Sequence, residues 1–112
     1  MNILKPAPVM VGVALFASFT MQAHADPAAG LALVKQRCQT CHGVDGIAKI
    51  PIAPHLAGES QIYLETQLKA FRSGKRENEM MSVVAKTLTD EEITNLAEWF
   101  SSIQITAKMP GQ

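Results

Sequence analysis

The residues best suited to chemistry lie in one short segment, where two cysteines separated by two other residues are followed directly by a histidine. They are Cys38, Cys41 and His42. On a helical turn, residues three apart share a face, so both sulfurs can reach one porphyrin edge and add to its two vinyl groups. The adjacent histidine can then bind the iron on one face of the porphyrin. The Cys-x-x-Cys-His pattern therefore predicts one covalently attached c-type haem.

Other uses of a cysteine pair fit the sequence less well. A thioredoxin-like dithiol follows a strand in a βαβ unit, whereas the residues before Cys38 have a helical pattern. Tetrahedral zinc sites commonly draw on a second cysteine or histidine pair, and His55 alone does not supply one. A disulfide between Cys38 and Cys41 would close a very short loop and join no distant parts of the chain.

A haem iron bound by one histidine needs a second axial ligand, which methionine or histidine can provide. After the first 25 residues, four residues besides His42 qualify by type: Met80, Met81, Met109 and His55. Met109 lies in a polar tail, and His55 lies in a proline-containing loop soon after the attachment site. The Met80–Met81 pair comes after a helix and a turn, far enough along the chain to wrap round the haem. The pair is therefore favoured, although paired methionines also serve as core filler.

The first 25 of the 112 residues have the order of a secretory signal. Lys5 supplies a positive charge, 9–21 is apolar, and Ala23-His24-Ala25 offers small residues at a cleavage site. The apolar run is too short for an ordinary membrane span, although a retained anchor is the alternative. The sequence thus predicts a cleaved signal peptide at 1–25 and one domain at 26–112. Export to the periplasm agrees with covalent haem attachment, which bacteria carry out outside the cytoplasm.

Composition narrows the class of partner. Ten basic and ten acidic side chains give no net charge, which argues against nucleic-acid binding, since that function leaves a basic excess or stripe.

The remaining pattern is helical, with no strand signal. We expect helices over 26–40 and 60–72, an irregular stretch over 43–58, and a short helical turn over 80–86. Ser60 is an N-cap residue, and Gly74 is suited to end the second helix. Thr89 and Glu92 form a capping-box pattern at the start of a last helix. Its predicted apolar stripe comprises Ile93, Leu96, Ala97, Phe100 and Ile103.

The chain resembles the class I c-type cytochromes, in particular small bacterial monohaem members and the separate halves of dihaem ones. The resemblance runs from Gly30 to about Ile103 and rests on motifs in a fixed order. After the haem-attachment motif these are Pro54-His55-Leu56-Ala57-Gly58, Tyr63-Leu64, Gln67-Leu68, Phe71-Arg72-Ser73-Gly74, the methionine pair and Leu88-Thr89-Asp90-Glu91-Glu92-Ile93. It implies an all-α fold in which a few helices wrap round one haem c. Gly30 and Val34 would then pack on Leu96 and Trp99 where the first and last helices cross.

The resemblance also implies residue roles. Cys38 and Cys41 would form the thioethers, and His42 would be the proximal ligand, its second ring nitrogen bonded to the Pro54 carbonyl. Met81, seven positions before Leu88, would be the distal ligand, with Met80 as the alternative. Many relatives carry asparagine in place of His55.

The implied function is that of a periplasmic electron carrier, not an enzyme. Its partners would be a redox protein donor and acceptor, with membrane-bound oxidoreductases among the options. Two alternatives stay open: a haem subunit of a larger oxidoreductase complex, and a ligand-binding haem enzyme or sensor with a displaceable methionine.

Overall fold

Helices account for all the regular structure in residues 24–111, which are the residues described by the computed structural model. The predicted signal peptide lies outside this part of the chain, except for its last two residues. Within 24–111, no helix is both long enough and apolar enough to cross a membrane. The helical segments are α1 (Pro27–Leu33), a π-helical turn (Val34–Cys38), α2 (Gln39–His42), α3 (Gln61–Ser73), α4 (Met81–Lys86) and α5 (Asp90–Ser102). The predicted all-α class is confirmed.

The first three segments run on as one helix, 27–42, which starts one residue later and ends two residues later than the predicted 26–40. Asp26 caps its start by accepting a 2.9 Å hydrogen bond from the N–H of Ala28. Proline at the first helical position is well tolerated, because its nitrogen would have no partner there in any case.

The π-helical turn was not predicted, and it aligns one side of this helix. Gly30, Val34 and His42 are buried, and Cys38, on the same four-residue spacing, is half-buried. In a regular α-helix, four residues overshoot a full turn by about 40°. The wider π turn, closed by the bond from the N–H of Gln39 to the carbonyl of Val34, corrects this drift. The face that packs on the core at Gly30 is thereby the face that carries Cys38 and His42.

The caps of α3 and α5 are those that the sequence predicted. Ser60 accepts a bond from the N–H of Tyr63 at the start of α3, and Gly74, with φ of 79°, ends it. Thr89 and Glu92 form the complete capping box at the start of α5.

The hydrophobic core lies between α5 and the helices on either side of it. α5 packs against α1 and α3, and α4 packs against α3. Four of the five predicted stripe residues of α5 are buried, while Ile103 is half-buried at the edge. The buried apolar residues are Val34, Leu64, Phe71, Ala85, Leu88, Ile93, Leu96, Ala97 and Phe100.

The crossing of α1 and α5 is a contact between backbones. A β-carbon on Gly30 would lie 2.1 Å from the carbonyl oxygen of Asn95 and 3.1 Å from the β-carbon of Trp99. The buried Asn95 side chain also accepts a 2.8 Å bond from the N–H of Asp26. Trp99 is the neighbour that the resemblance implied, whereas Asn95 was not foreseen. The crossing therefore requires glycine at position 30.

We predict that Gly30→Ala lowers the free energy of unfolding of the haem-loaded protein by about 2–3 kcal/mol, the cost typical of overpacking. Gly74→Ala is the matched control, because no atom lies within 4 Å of its β-carbon and only left-handed strain of about 1 kcal/mol is added. Guanidinium unfolding of both variants makes the comparison. Equal losses in the two would contradict the close crossing.

Candidate haem site

The attachment motif spans the junction of the π turn and α2. Cys38 is the last residue of the π turn, and Cys41 and His42 are the last two of α2. Gly43 then ends the helix. Both cysteines are half-buried and are not joined in a disulfide, so both sulfurs can form thioether bonds.

The environment of Cys38 is that of an apolar site. Its side chain packs against the hydrophobic core, and burial raises the pKa of the thiol to about 11, although Arg37 partly opposes the shift. Reactive cysteines of disulfide oxidoreductases have a lowered pKa, which gives them thiolate character. The Cys38 site therefore argues against redox-active dithiol chemistry and suits contact with an apolar cofactor.

The His42 ring is held in one tautomer by the backbone. The side chain is 7% exposed, and its Nδ1 lies 3.0 Å from the carbonyl oxygen of Pro54. A carbonyl oxygen can only accept, so Nδ1 carries the proton and donates it. The lone pair of the neutral ring is then on Nε2, which is the usual arrangement of a metal-binding histidine. Two thiols and one imidazole nitrogen beside a buried apolar face form a donor set that fits haem c.

The loop 43–58 is fixed by bonds to its own backbone and to the helices. The N–H of Lys49 donates to the carbonyl of Cys41 at 2.8 Å, and those of Leu56 and Ala57 donate to Gly46 at 2.8 and 3.1 Å. The N–H of Gly58 reaches the carbonyl of Phe100 at 2.9 Å. These bonds keep the Pro54 carbonyl in front of His42.

His55 takes part in the same loop. It is exposed, and its Nδ1 accepts a 2.9 Å bond from the N–H of Ala48. An asparagine Oδ1 is attached at the same position of the side chain and can accept the same bond. Asparagine at position 55 could therefore close the loop in the same way. Among the distal-ligand candidates, His55 is thus engaged in closing the loop.

The three methionines that are candidates for the distal ligand differ in burial. Met81 is the first residue of α4, is half-buried and packs against the core. Met80 is 46% exposed and Met109 is 66% exposed. Asn78 fixes the start of α4, since its Oδ1 accepts bonds from the N–H groups of Met80 and Met81 at 3.0 and 2.9 Å. Of the three, Met81 has the inward position expected of a cofactor ligand.

Two supporting sets of hydrogen bonds, those of Asn78 and of Trp99, escaped the sequence analysis. Asn78 lies three residues before Met81, a position from which a short amide side chain commonly caps a helix, and that signal could have been noticed. Trp99 donates from its indole Nε1 to the carbonyl of Val44 at 2.9 Å, which ties the last helix to the haem loop. Nothing local in the sequence indicates that bond, because it joins residues 55 positions apart.

A family model described as "Cytochrome C oxidase, cbb3-type, subunit III" matches residues 25–100. The chain belongs to the cytochrome c family. Haem c, bound covalently, is accordingly its cofactor, and the predicted class I fold and cofactor are confirmed.

Individual relatives agree with this membership. Cytochrome c-554(548) of Halomonas halodenitrificans is 43% identical over 68 residues, which cover 58% of this chain and 82% of that protein. The cytochrome subunit of sulfide dehydrogenase of Chlorobaculum tepidum is 39% identical over 66 residues, 59% of each chain. The crystal structure of reduced cytochrome c4 from Pseudomonas stutzeri matches with a TM-score of 0.66 and 32% identity over 72% of this chain. The match covers 47% of the cytochrome c4 chain, about half its length.

We predict that His55→Asn preserves the loop, whereas His55→Ala opens it locally. Loss of the only side-chain acceptor described for the Ala48 N–H should speed its hydrogen exchange about tenfold in the alanine variant. In His55→Asn the exchange rate should stay close to that of the parent. NMR-detected exchange on the haem-loaded protein measures both. Equal rates in the two variants would show that the bond does not hold the loop.

Proposed function

We propose that the chain is a periplasmic electron-transfer protein whose haem is held by Cys38 and Cys41 and whose iron is bound by His42 and Met81. The observation that carries the proposal is the bond from His42 Nδ1 to the Pro54 carbonyl. It leaves the Nε2 lone pair available to a metal, within a segment that also offers two cysteine sulfurs. Membership of the cytochrome c family supplies the cofactor that such a donor set requires.

Burial supports Met81 over Met80 as the distal ligand. The Met81 side chain is packed on the core, while nearly half of Met80 is exposed. Asn78 orients the backbone at both residues equally, so the difference lies in which side of α4 each side chain occupies.

Axial ligation by two protein side chains favours a carrier over a catalyst. The bound haem supplies a one-electron change at its iron. His42 and Met81 would fill both axial positions and leave no site for a substrate. By accepting a hydrogen bond from Nδ1–H, the Pro54 carbonyl would make the imidazole a stronger electron donor to the iron. The buried residues around His42 limit water near the site, which is one of the ways a protein adjusts a reduction potential.

Transient exchange with a redox protein donor and acceptor is the proposed mode of action. The name of the Chlorobaculum tepidum relative places that protein in an oxidoreductase complex, which keeps a permanent haem-subunit role as the second candidate. Membrane-bound oxidoreductases are among the proposed partners. A signal peptide at 1–25, removed on export, would deliver the domain 26–112 to the periplasm.

We predict that Met81→Ala removes the weak far-red charge-transfer band that reports sulfur bound to ferric iron, and that it makes the ferrous protein bind carbon monoxide. Met80→Ala is the matched control. Because Met80 is the exposed methionine of the pair, this variant should keep the band and should not bind carbon monoxide. Absorption spectra of the purified proteins decide between them.

Loss of the band in Met80→Ala alone would reassign the ligand. A parent protein that lacks the band and binds carbon monoxide would instead favour the enzyme or sensor alternative. In both cases the haem content, measured as the pyridine complex, should stay at one per chain.

A further inference from the structure

The C-terminal end of α4 is held by arginine side chains from two other helices. Arg72, in α3, donates from Nη1 to the carbonyl of Leu88 at 2.9 Å and from Nη2 to the carboxylate of Asp90 at 2.5 Å. Arg37, in the π turn, donates to Oγ1 of Thr87 at 2.8 Å. Thr87 and Leu88 are the two residues that follow α4. The contacts thus converge on the point where the Met81 helix joins α5.

α4 depends on such outside support. It has six residues, and helices this short are not stable by themselves in water. Its packing into the core rests on Ala85, which is fully buried, and on the half-buried Met81. Asn78 holds the beginning of the helix through the N–H groups of Met80 and Met81. The arginine contacts provide the corresponding support at its end.

The Arg72 contact has the geometry of a fixed clamp. A guanidinium group presents several N–H donors in one plane and can serve a carbonyl and a carboxylate at once, which a lysine cannot do in the same way. The Arg72 side chain is 29% exposed. Its hydrogen bond is the main cause that lowers the pKa of Asp90, so the partner carboxylate is charged at neutral pH. The guanidinium thus serves the Leu88 carbonyl and an Asp90 carboxylate that is 77% exposed, so the bond to the carbonyl is the one that fixes the chain after α4.

We propose that Arg72 is a positioning residue for Met81, and that Arg37 gives the same helix a second support. The proposal rests on the proposed function, in which Met81 binds the iron. Arg37 directly precedes Cys38, so the segment that carries the haem attachment also holds the end of α4. The proximal and distal sides of the site are linked through protein atoms, by a contact between residues 50 positions apart.

The test measures how readily an added ligand displaces Met81 from the haem iron. Imidazole is titrated into the ferric haem protein, and loss of the far-red charge-transfer band is followed. Since the ligand binds only the methionine-released form, its apparent dissociation constant falls in proportion as that form becomes more populated. Removal of a hydrogen bond to a charged group shifts such a population by about tenfold or more. Arg72→Ala should therefore lower the apparent dissociation constant for imidazole about tenfold.

Three further variants make the result specific. Asp90→Asn keeps the bond to the Leu88 carbonyl and should stay within about threefold of the parent, because exposed ion pairs contribute little. Thr87→Val removes the acceptor of Arg37 without touching the attachment motif, and should shift the constant in the same direction as Arg72→Ala by a smaller factor. Ile93→Val weakens the core of α5 by about 1 kcal/mol without a change at α4, and should leave imidazole affinity unchanged.

The outcomes distinguish the positioning role of Arg72 from the proposed function on which it rests, in which Met81 binds the iron. A parent protein without the charge-transfer band overturns methionine ligation, and the proposal falls with it. A parent with the band, but an imidazole constant unchanged in Arg72→Ala or equally shifted in Ile93→Val, overturns the positioning role while leaving the carrier function intact. If Arg72→Ala gives no folded haem protein, Arg72→Gln serves the same test, since its shorter neutral side chain cannot reach both acceptors.

Discussion

The close approach of α1 to α5 is the contact on which the rest of the molecule depends. Gly30 brings the backbone of the first helix against the carbonyl of Asn95, and the Asn95 side chain fixes the beginning of that helix through Asp26. One turn further along α5, Trp99 binds the carbonyl of Val44. A single helix therefore sets both ends of the segment that carries Cys38, Cys41 and His42, since it orients the helix at one end and the loop at the other.

The loop after the attachment motif then fixes the orientation of the His42 ring. Its backbone bonds, from Lys49 to Cys41 and from Leu56 to Gly46, are independent of side-chain identity. They deliver one carbonyl, that of Pro54, to one nitrogen of His42. The loop lacks regular secondary structure and is nevertheless well determined, because its polar groups find partners within the loop or on α2 and α5. Irregular backbone serves here to position a single acceptor.

Local patterns in the sequence account for most of the fold and for the central residues of the site. The caps at Ser60 and Thr89 and the apolar stripe of α5 depend on neighbours within one or two turns, so they could be predicted. The π turn could not be predicted, because it depends on Gly30 and His42 both packing on the same side of the helix in the folded chain. Asn95 and the Arg37–Thr87 contact were also missed, since polar side chains reveal their distant partners only in the folded chain.

The π turn makes the first helix a fixed-length spacer. Its extra residue per turn brings the crossing point and the haem ligand into line, and each added or removed residue would rotate His42 by about 100° about the helix axis relative to Gly30. Neither end can adjust, because one is pressed against another backbone and the other is bonded to the loop. Insertions and deletions between positions 30 and 42 should therefore be far less tolerated than substitutions at the exposed positions of the same stretch.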